Sequence, residues 1–90
     1  MLTRKQVKLI RERVARIEPL LAGIGSELQG AVLCDLTATW LAGHQGEGAD
    51  KLRKELLKLH VECVLALIPI NEREHAEREM MVQIEEGKLQ

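Results

Sequence analysis

A chain of 90 residues has the length of one domain, at the size where a single core is marginal and a partner chain, a metal or a disulfide supplies useful extra stability. Hydrophobic residues make up 46% of it, yet there is one Trp and neither Phe nor Tyr, so the core has to be built from Leu, Ile, Val and Ala, the palette of a helical bundle. A net charge of -1 provides no general attraction for nucleic acid or a membrane surface, and the longest apolar runs fall far short of a membrane span.

The first helix is predicted over about residues 3–22. Thr3 stands three residues before Gln6, the spacing of a capping box, and Leu2 and Val7 hold staple positions. Val7, Ile10, Val14, Ile17, Leu21 and Ile24 alternate three and four apart, which gives a narrow apolar seam flanked by Lys and Arg. Pro19 interrupts that seam and removes the bond to the carbonyl of Ala15, so a kink or a break is expected there. Met1 to Gly25 carries six Lys/Arg against two Glu. This is the basic part of the chain.

Gly23 and Gly25 suit the end of that helix, and Ser26 with Gln29 repeats the capping-box spacing for a second helix, about 27–42, stopped by Gly43. Its only charges are Glu27 and Asp35, and Leu28, Val32, Leu33, Leu36, Trp40 and Leu41 are spread widely around it. A helix apolar nearly all round must be covered nearly all round. Its small-residue face, Ala31, Ala38 and Ala42 with Asp35 and Thr39 beside them, would admit another backbone closely and is the candidate interface across a twofold axis.

The Gly-rich segment GHQGEGAD is the one clear loop, closing on Asp50 as the next N-cap. It has no Lys-Ser/Thr ending and follows no strand, so it is no phosphate loop. His44, directly after Gly43, is placed to meet the carbonyl end of the second helix. A third helix is predicted over about 51–68, ended or bent by Pro69, with one apolar stripe of Leu52, Leu56, Leu59, Cys63, Ala66 and Leu67 and another beside it. Asn71 and Glu74 form a further capping pair for a looser fourth helix, about 72–86, with the sparse apolar positions Ala76, Met80 and Ile84. From Pro69 to the end there are six acids and three bases, a complement to the basic first helix in the same chain or in a partner.

The residue types that carry chemistry are few. Within LHVECVLALIP, Glu62 lies roughly 160° from His60 on the helical wheel and faces water, whereas His60 and Cys63 share the apolar face. Antiparallel pairing of the second and third helices brings Cys34 and Asp35 to the height of His60, a set that resembles a nucleophile with its base or a group of metal ligands. Cys34 points roughly 100° away from Asp35, however, and no paired-ligand spacing such as CxxC accompanies them. Cys34, Asp35, His60 and Cys63 are therefore read as buried polar positions of a core, with Asp35 bonded to His60, to Thr39 or to a base from elsewhere, and no catalytic, cofactor-binding or metal site is assigned. Glu72 and His75 have the Glu-x-x-His spacing of carboxylate-bridged iron sites, but there is one such motif where two are needed.

These readings give an all-α fold: a small bundle of three main antiparallel helices plus a looser C-terminal helix, a single domain over 1–90, expected to be dimeric. The expected function is a non-enzymatic protein–protein interaction or dimerisation module, with a homodimer or another protein as partner. The alternative is a small nucleic-acid-associated regulator using Arg4, Lys5, Lys8, Arg11, Arg13 and Arg16. These bases are spread around the helix with no aromatic side chain for stacking, and the next loop is long for a helix-turn-helix. A metal- or thiol-dependent activity around His60 ranks third. Two cysteines without a signal-peptide pattern suggest free thiols in a reducing, cytoplasmic setting.

Overall fold

The structure, a computed structural model, describes residues 1–87. Among them it is all helical, with three helices in the order α1 (Arg4–Leu21), α2 (Ser26–Ala42) and α3 (Ala49–Glu85). The chain divides into two compact units, Met1–Trp40 and Leu41–Gln90. The first holds α1 and nearly all of α2; the second holds the last two residues of α2, the Gly-rich connection and α3.

In the first unit, α1 begins with the predicted capping box in full. Gln6 N–H donates to Thr3 Oγ1 at 3.1 Å and Thr3 N–H donates to Gln6 Oε1 at 2.8 Å, so two of the open amides at the helix start are satisfied reciprocally. Pro19 does not break the helix. It sits in the last turn, where one lost amide bond costs least, and α1 runs on to Leu21, closed by Ala22 N–H on the Glu18 carbonyl at 3.2 Å. The expected start of α2 needs correction. Ser26 is already helical, and the Gln29 amide bonds the carbonyl of Gly25, a residue with φ of 84°. Instead of reaching back to a Ser26 cap, the Gln29 side chain donates to the Leu21 carbonyl at 2.8 Å and so fastens the end of α1 to the start of α2.

In the second unit, α3 starts before Asp50. Gly48, with φ of 76°, occupies the cap position without a side-chain bond, and Asp50 lies in the first turn, so the expected Asp50 cap is not formed. The larger correction lies downstream. The third and fourth helices predicted over 51–68 and 72–86 are one unbroken helix of 37 residues with Pro69 inside it. A proline costs the helix one hydrogen bond and some steric strain, whereas ending it would require a new nucleus for the segment beyond, which is rich in Glu, Arg, Ala and Met. Continuation is the lesser cost. The helix closes at Glu86, whose N–H donates to the Val82 carbonyl at 2.9 Å. The end of the weak C-terminal stretch, residues 88–90, lies outside the described residues.

Among the described residues no side chain is buried, apolar or polar. The half-buried ones gather mainly at the two connections: Leu21 and Gln29 at the first; Leu41, His44, Ala49, Arg53 and Leu56 at the second. Partial burial is thus concentrated at the two connections, while most large apolar side chains along the helices are exposed.

Candidate functional site

The best-formed polar constellation surrounds Arg53, one turn into α3. Its Nε donates to the Leu41 carbonyl at 3.0 Å and the His44 carbonyl at 2.9 Å, and its Nη2 donates to the Ala42 carbonyl at 3.2 Å. The last carbonyls of α2 have no intrahelical donors, and a planar guanidinium is the side chain able to serve several of them at once. Backbone turns complete the connection, with His44 N–H on the Leu41 carbonyl at 3.1 Å and Ala49 N–H on the Gly46 carbonyl at 3.2 Å. The Asp50 carboxylate stands 3.9 Å from Arg53 Nη1 but is almost fully exposed and adds little. His44 does lie at the carbonyl end of α2, as its position predicts. The Arg53 guanidinium caps that end through its three bonds.

Arg53 and Gln29 repeat one device. Each stands in the opening turns of a helix and reaches back to the open carbonyls of the helix before it. Sequence reasoning missed both, assigning Gln29 to a local cap and giving Arg53 no role. The available signal was a long hydrogen-bond donor four or five residues beyond a glycine-containing turn. The arrangement is structural: three neutral acceptors around one cation leave no group poised to attack or to exchange a proton.

The predicted interface residues Ala31, Asp35, Ala38, Thr39 and Ala42 fall along α2 and all are exposed. Spacings of 4, 3 and 4 put Ala31, Asp35, Ala38 and Ala42 on one face. Of the partners foreseen for Asp35, the structure supplies Thr39, whose Oγ1 lies 3.5 Å from Asp35 Oδ1. That is the outer limit of a hydrogen bond and holds the carboxylate only loosely.

Cys34, Asp35, His60 and Cys63 are not core residues of the single chain. All four are exposed, both cysteines are free, and the set is divided between units, with Cys34 and Asp35 in the first and His60 and Cys63 in the second. The physical reason is the one that leaves every helix open: neither unit covers a helix face deeply enough to withdraw a side chain from water. His75 pairs forward with Glu79, Nε2 to Oε1 at 3.1 Å on a solvated face, rather than backward with Glu72. Among the described residues no group of three or more His, Cys, Asp or Glu could hold a metal ion, and no helix is long and apolar enough to cross a membrane.

A shallow groove follows the first turns of α1, lined by Leu2 and by the two i, i+4 rows Arg4, Lys8, Glu12 and Val7, Arg11, Ala15. All its walls belong to one helix and the residues before it. It is the furrow between two rows of side chains, the shape into which the ridge of another helix fits. Comparison with family models, with curated proteins and with solved structures returns no match for this chain.

Proposed function

We propose that this chain is a non-enzymatic helical assembly module that completes its core on another protein, in the first place on a second copy of itself. One observation carries the reading: among the described residues every large hydrophobic side chain remains at least partly accessible, and none is buried. Isolated helices with open apolar faces are marginal in water, and helical stability comes from covering such faces.

The first surface for that contact is the α2 face of Ala31, Asp35, Ala38, Thr39 and Ala42, because its small side chains let a partner helix approach closely and the apolar residues of α2 point in all directions. The Arg53 constellation serves the turn it sits on, and we assign the chain no enzymatic role. The free thiols Cys34 and Cys63 fit a reducing compartment, and we place the protein in the cytoplasm on that ground.

The test is thermal unfolding of the full chain over a hundredfold range of protein concentration, with sedimentation equilibrium alongside. The melting midpoint is expected to rise with concentration, since coverage by the second chain is part of each core. Ala38→Arg, which forces a long charged group into the α2 face, is expected to lower the midpoint and shift the sedimenting species towards monomer. A chain that is monomeric throughout, with a constant midpoint, overturns the reading as a self-assembling module.

A further inference from the structure

The continuity of α3 through Pro69 joins two stripes that looked separate into one seam. Beyond the proline, the spacing of 4 and 3 carries on through Ala66, Ile70, Arg73, Glu77, Met80 and Ile84. Four of these are apolar, and Ile70, Met80 and Ile84 are 41, 58 and 52% exposed. The two in the middle are one base and one acid, set next to each other along the seam. A seven-residue apolar repeat with a polar layer inside it is the pattern by which paired helices fix their register and direction.

We propose that the second half of α3 pairs antiparallel with the same segment of a second copy, about a twofold axis passing near His75, with Arg73 of each chain facing Glu77 of the other. In that register Ile70 meets the second copy's Met80 and Ala66 meets its Ile84, so apolar layers flank a central pair of Arg–Glu layers on both sides. Other arrangements of the same seam fail on charge. A parallel, in-register pair sets Arg73 on Arg73 and Glu77 on Glu77. Sliding the antiparallel pair by seven residues in one direction faces Arg73 with Ile70 and Glu77 with Ala66; sliding it in the other faces Arg73 with Ile84 and Glu77 with Met80. Each slide leaves a charge against an apolar side chain with no partner. The occupant is therefore a second copy, because the segment is complementary to itself in one register. Glu74 of each chain, beside the central layers, approaches its own copy and is the one repulsive contact of the arrangement.

This inference rests on the proposed self-assembly and gives it a contact on α3, distinct from the α2 face, with a geometry of its own. Dimer dissociation is measured on the full chain for wild type, Arg73→Glu, Glu77→Arg and the double reversal, with helicity checked by circular dichroism. Each single reversal is expected to weaken the dimer at least about tenfold, since like charges then face each other in both central layers. The double reversal is expected to restore wild-type affinity within about threefold, because the pair is re-formed with exchanged ends. Geometry is read independently of those variants, from a spin label at Lys58→Cys in a Cys34→Ser, Cys63→Ser background. The two labels should lie about 50 Å apart, whereas a parallel pair holds them within about two helix diameters. A dimer whose affinity ignores both single reversals, a double reversal that does not recover, or a short label distance overturns this geometry and leaves self-assembly through another surface standing. A chain that stays monomeric overturns both.

Discussion

Arg53 holds three carbonyls of the preceding turn on one guanidinium. Arg53→Met keeps much of the side-chain volume and removes every donor. The loss expected is about 1–3 kcal/mol of unfolding free energy, measured by urea titration at fixed protein concentration, because the carbonyls left behind regain only part of their bonding from water. Arg53→Lys should recover a fraction of that, since an ammonium group can reach one or two acceptors but lacks the planar fork. If the methionine and lysine variants lose equally little, the three bonds are ornaments of the turn rather than its fastening. At the same scale, Glu74→Gln is expected to tighten the dimer by about twofold at low salt, an effect that fades as ionic strength rises.

At the scale of the element, α3 decides the molecule. Pro69→Ala returns an amide donor to the Leu65 carbonyl and relieves the ring's clash in the preceding turn. It is expected to raise stability by about 1–3 kcal/mol without lengthening the helix, because the helix already passes through that point. If helix content measured by circular dichroism rises by many residues instead, the segment after Pro69 was not helical before. This is also where the sequence was hardest to read. Pro69 followed by Asn71 and Glu74 is a local stop-and-restart signal, and it misled because a local signal does not count the cost of a second nucleus. The ends of α1 and α2 were legible within a residue or so, since Thr3 with Gln6 and the glycines at 23, 25 and 43 act through their immediate neighbours. Gln29 and Arg53 escaped because their acceptors are backbone carbonyls 8 to 12 residues away, and a carbonyl has no residue type to recognise. Asp35 was legible in part: its bond to Thr39 follows from helical spacing, whereas its exposure depends on what covers α2.

At the scale of the whole molecule, nearly half of the residues are hydrophobic and none of the described ones is buried. Such a chain is expected to bind a dye specific for exposed apolar surface when dilute and to release it as concentration rises through the dimer range, in step with the melting midpoint. Dye binding that is unchanged by concentration would mean that the open faces are not closed by self-assembly. The charge layout adds a direction to this expectation. The basic first quarter and the acidic last quarter attract each other across chains as well as within one, so association should be faster at low salt even where the final affinity changes little.

The two backward-reaching side chains also predict how this protein would tolerate random change. A donor must be a particular side chain, but a carbonyl is supplied by whatever residue keeps the backbone in place. In a library of single substitutions, then, Gln29 and Arg53 should accept few replacements as donors, while His44, as an acceptor, should accept many so long as the turn is preserved. The vulnerability of each connection would lie on one side of it only, downstream, in the helix that comes after.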